Sequence, residues 1–204
     1  MSDSPDRQAY LHRAVRLSQA SIAWSLLSGV SAVGVGIVVG GLSLAGYGLD
    51  AMVDGGASAI LLHRFHAERH DPDRGDSLER RAARLVAIAL LLISALLAGS
   101  AVHALATHHS PDATAVGTGI AVASIVVLPP LAVAKRKTAA RLASVALRAD
   151  GLITGVAALL AVGALLGLVL GPALGWWWAD AVMALVAAAV LLREVRSIFG
   201  ASAE

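Results

Sequence analysis

The sequence predicts an all-α membrane protein, a six-helix transmembrane bundle with both termini cytoplasmic. Three observations carry that expectation. Of the 204 residues, 57% are hydrophobic and only 15% charged, with a mean hydropathy of +0.75, whereas soluble domains are about 25% charged. Apolar runs long enough to cross a hydrocarbon core of roughly 30 Å, about 20 residues each, recur along the chain. All 16 Lys and Arg residues then fall on one side of the topology that those runs define.

Taken in order, the spans are placed near 19–40, 42–62, 83–106, 114–134, 150–171 and 174–193. A cytoplasmic segment, 1–18, precedes a transmembrane domain over 19–198, and a short tail, 199–204, follows. Arg13 and Arg16 before the first apolar run imitate a secretory signal, but the run is too long and leads straight into the second span, so it reads as a span. Span one carries small residues four apart, Ser25 with Gly29 and Gly36 with Gly40, which lets helices approach closely. Gly163, Gly167 and Gly171 repeat that spacing in span five. Spans one and five are therefore expected inside the bundle or at a dimer contact. Between spans two and three lies the polar segment "HRFHAERHDPDRGDSLERR", and between four and five "KRKTAARLASVALR"; neither is large enough to be a domain. Pro129-Pro130 should bend or break span four, because each proline removes a backbone donor and crowds the preceding turn. A hinge and a static kink both fit.

The basic residues set the orientation. From Arg7 to Arg196 they lie in the N-terminal segment, the 2–3 and 4–5 connections and the C-terminal end, while "GGLS", "THHSPDAT" and "GPALGWWW" carry none. The positive-inside rule makes the basic side cytoplasmic. Trp176, Trp177 and Trp178 fit an aromatic belt at the opposite interface. Absence of cysteine removes disulfides, thiolate zinc ligands and thiol nucleophiles. A net charge of +2 on so apolar a chain argues against nucleic acid as a partner. No nucleophile elbow, phosphate loop or HExxH occurs, so no enzyme is expected.

Asp50 and Asp54, within "GLDAMVDGG", stand out in span two. Asp50 lies eight residues past Leu42, about 12 Å into the span at 1.5 Å per residue, and the spacing of four puts both acids on one helical face. Each ionised Asp at the bilayer centre costs roughly 2.5–3.5 kcal/mol, so the pair requires compensation. Protons or a divalent cation supply it, and the same carboxylates cannot hold both, which is the basis of an exchange mechanism. Gly55, Gly56, Ala57 and Ser58 leave room beside the pair. A short internal echo sets Asp50-Ala-Met-Val-Asp54-Gly55 beside Asp150-Gly-Leu-Ile-Thr154-Gly155, which brings Asp150 and Thr154 in as candidate partners of the site. Asp150 is equally placed to pair with Arg148.

Six spans, "LDAMVDGGAS" in span two, "SVALRAD" opening span five and "WWWADAVMAL" opening span six together resemble the transmembrane domain of the cation diffusion facilitators, over roughly residues 20–198. That resemblance implies a homodimeric exporter of zinc or a similar divalent metal in exchange for protons, with the metal as transported substrate and no permanently bound cofactor. It implies metal ligation by Asp50 and Asp54. The two further span-five ligands usual in the family fall on Ile153 and Ala157, so Asp150, Thr154 or water would have to complete the shell. A shell completed in that way favours a hydrated or harder cation such as Mn²⁺ or Mg²⁺. The chain ends soon after Arg196, without the soluble domain many members use to dimerise, so a dimer is expected to form through membrane helices. The alternative is a non-transporting membrane protein of the same fold, acting as a regulatory or interaction module.

Other groups stay open. Asp180 either caps span six, where an acid suits the helix dipole, or lines a vestibule. His63, His66, His70, Asp71 and Asp73 form either a solvated segment or a cytoplasmic collecting site. His103, His108 and His109 are interfacial or mark an exit.

Overall fold

A computed structural model describes residues 5–39, 42–71, 74–108, 114–174 and 178–200. Among the described residues the chain is all-helical: α1 (Pro5–Val39), α2 (Leu42–His70), α3 (Gly75–Thr107), α4 (Ala115–Leu142), α5 (Val145–Leu174) and α6 (Ala179–Gly200). Local chemistry marks the ends. Pro5 opens α1, where its fixed φ suits the first turn, and Asp6 follows as an acid near the positive end of the helix dipole. Thr114 caps α4 by accepting the Gly117 N–H at 3.0 Å. Ala143, at φ 50°, closes α4 in the left-handed region. Asp180 lies in the first turn of α6.

The helices outrun the apolar segments. The polar stretch between spans two and three is helical through His70 and again from Gly75, and the stretch between four and five is helical on both sides of Ala143 and Ser144. Arginine is the commonest residue of the first segment and alanine of the second, both strong helix formers, so the helices continue past the last apolar turn. The prolines do not break α4, which runs as one helix through Pro129 and Pro130. Both are exposed on its outer face, so their rings crowd no neighbouring helix. The "GGLS" turn, His109, Asp73, Trp176 and Trp177 are not wholly within the described residues, and the surroundings of Gly36, Gly40, Gly167 and Gly171 also lie outside them.

Six contacts fix how the helix ends meet. Arg7 of α1 pairs with Glu68 of α2. Arg64 of α2 pairs with Glu79 of α3 at 2.8 Å and donates to Ser144, just before α5, at 3.1 Å. Glu79 also accepts from the Ala146 N–H of α5 at 2.8 Å. Arg148 of α5 pairs with Glu194 of α6 at 2.9 Å, and the Arg141 guanidinium of α4 lies over the Tyr10 ring of α1. The starts of α1, α3 and α5 therefore gather with the ends of α2, α4 and α6, giving an up-down bundle with its basic residues at one end.

Packing is most extensive between α1 and α2, α4 and α5, and α3 and α6. Small residues bring α1 and α2 together: a Cβ on Gly48 would lie 2.5 Å from Val33 Cγ2 and 2.7 Å from the Gly29 carbonyl, and one on Gly55 would lie 2.9 Å from Ser25 Cβ. The Ser25 and Gly29 pattern thus serves this intramolecular contact. A Cβ on Gly163 would meet Met183 of α6 at 3.4 Å, an ordinary van der Waals distance.

Buried hydroxyls accompany an apolar core built around Leu61, Phe65, Val86, Leu90 and Leu191. Ser18, Ser21, Ser25, Ser28, Ser58, Ser124 and Thr154 are buried, while Leu27, Val38, Leu92, Val126, Leu166 and Val186 are more than half exposed or nearly so. Large apolar side chains exposed around such a core are stable where the surroundings are hydrocarbon. Three helical stretches, Gly75–Thr107, Ala115–Leu142 and Val145–Leu166, are long and apolar enough to cross a membrane. In α6 the apolar stretch is cut short by Asp180 at one end and Arg193, Glu194 and Arg196 at the other.

Candidate functional site

Asp50 and Asp54 face the bundle interior from α2, one turn apart, and line one cavity of about 30 Å³. That is room for one or two waters, or for a small cation stripped of most of its hydration. Ser25, Ser28 and Tyr47 supply hydroxyls around it, and Ile93, Leu128, Val156 and Leu160 supply apolar walls. One oxygen of Asp54 accepts from Ser25 at 3.0 Å. Its other oxygen, and one oxygen of Asp50, are buried without a hydrogen-bond partner. Two orphaned carboxylate oxygens in a single small cavity are costly, and a proton or cation placed between them removes the cost. Tyr47 reaches Ser124 of α4 at 3.5 Å, tying α2 to the cavity's far wall.

Ile153 and Ala157 line this same cavity. The two positions expected to carry further ligands therefore do face the aspartate pair, with an alkyl side chain at each. Asp150 and Thr154 point elsewhere, toward α4. Asp150 forms an ion pair with Lys135 at 2.6 Å, both side chains fully buried, and accepts from Ser58 at 3.0 Å. The Lys135 ammonium also donates to Thr154 at 2.9 Å and to Ser58 at 3.3 Å. Thr154 in turn donates to the Asp150 carbonyl. The pairing of Asp150 with Arg148 is corrected: Arg148 turns outward to Glu194, because a long exposed side chain at the helix start reaches α6 more easily than the buried face of its own helix.

Sequence reasoning missed Lys135, which stood in "KRKTAARLASVALR" as one more basic residue between spans. Its signal was helical: Leu131, Lys135, Thr138 and Leu142 recur at spacings of four and three, and all are buried on one face of α4. Arg64 was missed in the same way, on the face shared by Leu61, Phe65 and Glu68. It joins Glu68 at 2.8 Å, Glu79 and Ser144 in a polar knot that caps α5, whose Leu147 N–H also donates to Ser144 at 3.1 Å.

His63, His66 and His70 are exposed on α2. His66 Nδ1 lies 3.3 Å from the Leu62 carbonyl one turn back, and Asp71 pairs with Arg74 at 2.9 Å. His103 is exposed near the end of α3, and His108 is its C-cap. Among the described residues no group of three or more His, Cys, Asp or Glu is arranged to hold a metal ion. The Asp50–Asp54 pair is a two-carboxylate site with hydroxyl neighbours.

No protein-family model matches the chain, and no curated protein matches it.

Proposed function

We propose that the chain is an integral membrane secondary transporter that exports a divalent metal cation, zinc or a similar ion, from the cytosol in exchange for protons. Asp50 and Asp54 are its alternating metal and proton site. The observation that carries this reading is the orphaned oxygen on each of two carboxylates facing one cavity, inside a bundle whose outer surface is apolar. Ionisable groups at such positions are functional by default, since their burial is expensive. The resemblance to the cation diffusion facilitators supports the same reading through "LDAMVDGGAS", and all six helices then cross the cell membrane with both termini cytoplasmic. A homodimer forms through the exposed apolar faces of the helices.

Metal uptake into proteoliposomes under an imposed pH gradient tests the proposal, with Zn²⁺, Mn²⁺, Co²⁺ and Cd²⁺ offered to wild type and to Asp50→Ala/Asp54→Ala. Gradient-dependent flux that disappears in the variant supports it. Folded wild type that moves none of these ions rejects it. The second reading, a non-transporting membrane module whose half-site holds a regulatory cation, is favoured by one observation: Ile153 and Ala157 leave the span-five wall of the cavity without ligands. Metal binding without flux is its signature.

A further inference from the structure

Lys135 is fully buried, far from the solvated role of a basic residue at a membrane interface. A buried ammonium is tolerated only when its charge is matched and its N–H donors are occupied. Here three oxygens surround it: Asp150 Oδ2 at 2.6 Å, Thr154 Oγ1 at 2.9 Å and Ser58 Oγ at 3.3 Å. They equal its three N–H donors in number. The site is built for it. Gly151 faces α4 where a Cβ would lie 3.2 Å from Lys135 Cβ and 3.1 Å from Arg136 Cγ, so the absence of a side chain there lets the two helices close around the lysine. The cluster adjoins the carboxylate pair, because Ser58 lies one turn beyond Asp54 on α2.

Resting on the transport reading above, we propose that Lys135 is a resident counter-cation that withholds Asp150 and Thr154 from the cation site. It thereby limits that site to the two carboxylates of Asp50 and Asp54. The charges are consistent with this role. Lys135 and Asp150 cancel, and the two remaining negative charges match one divalent ion; without the lysine, three carboxylates would crowd the same interior. A third carboxylate would hold the ion more tightly and release it more slowly, whereas a transporter needs binding weak enough to permit release. Lys135 is in this sense a positioning residue that sets affinity through Asp150.

Binding of Zn²⁺ and Mn²⁺ to the purified full chain in detergent, measured by titration calorimetry, tests the inference with three variants. Lys135→Met frees Asp150 and is expected to tighten binding at least about tenfold while slowing flux in proteoliposomes. Asp150→Asn leaves the lysine charge unmatched beside Asp54 and is expected to weaken binding at least about tenfold. Lys135→Met/Asp150→Asn removes both charges and is expected to return affinity to the wild-type value. An unchanged or weakened affinity in a folded Lys135→Met overturns the inference while leaving the transport reading in place. So does a double variant as weak as Asp150→Asn, since Asp150 would then itself be a ligand. If Lys135→Met fails to fold, the comparison of Asp150→Asn with the double variant still decides. Wild type that binds neither ion removes the transport reading, and this inference with it.

Discussion

At the scale of single residues, the interior sorts its charges into two neighbouring groups with different fates. Lys135 and Asp150 are matched and surrounded. Asp50 and Asp54 are not, since each keeps a buried oxygen with no hydrogen-bond partner and, unlike Asp150, neither has a cation beside it in an ion pair among the described residues. Replacing either of the latter removes a liability from the folded state and, on the proposed reading, a metal ligand as well. Asp50→Ala and Asp54→Ala are therefore each expected to abolish metal flux while the protein melts in detergent at or above the wild-type temperature; retained flux in either variant contradicts the assignment. The aspartate pair was legible in the sequence because carboxylates in an apolar run stand out at once. Lys135 and Arg64 were not, because a basic residue at the edge of a span looks solvated unless the helix is known to continue. Only the spacing with Leu131, Thr138 and Leu142, or with Leu61, Phe65 and Glu68, shows that each faces inward.

Among the helices, α1 and α2 meet backbone to backbone at Gly29 and Gly48, with Val33 closing the contact. Close approach of this kind depends on the missing side chain. A methyl at position 48 would sit 2.5–2.8 Å from Val33 and the Gly29 carbonyl, so Gly48→Ala is expected to cost about 1–3 kcal/mol as the helices separate. A thermal melt in detergent checks this, and an unchanged melt contradicts the packing. The opposite sign is expected at the end of α4. Ala143 adopts φ 50° to end the helix, a region that disfavours any residue with a Cβ. Ala143→Gly is expected to raise stability by up to about 1 kcal/mol in the same assay, and a lowered melting temperature argues against it. The extent of the helices was less legible than their existence. Apolar runs located them, but the polar ends of α2 through His70 and α3 from Gly75 continue on helix-forming residues that carry no hydropathy signal.

The whole molecule places all of its Lys and Arg at one end of an up-down bundle, where Arg7, Arg64, Glu68, Glu79 and Ser144 lock the helix ends together. Orientation in the membrane follows from that asymmetry if the basic end is cytoplasmic. The chain has no cysteine, so single cysteines report topology without background. With an impermeant maleimide on intact cells, Thr107→Cys at the end of α3 is expected to label. Ser197→Cys near the end of α6 is expected to label only after permeabilisation. The reverse pattern contradicts cytoplasmic termini.

If Asp50 and Asp54 trade protons for metal as proposed, metal entry must move protons, and that movement is measurable. Proteoliposomes loaded with a pH-sensitive dye would receive Zn²⁺ or Mn²⁺ outside with no imposed gradient. Metal entry is expected to drive protons out, so that the lumen turns alkaline in wild type and stays unchanged in Asp50→Asn/Asp54→Asn. Metal entry without any change in luminal pH, or an equal change in the double variant, would contradict the proposed exchange.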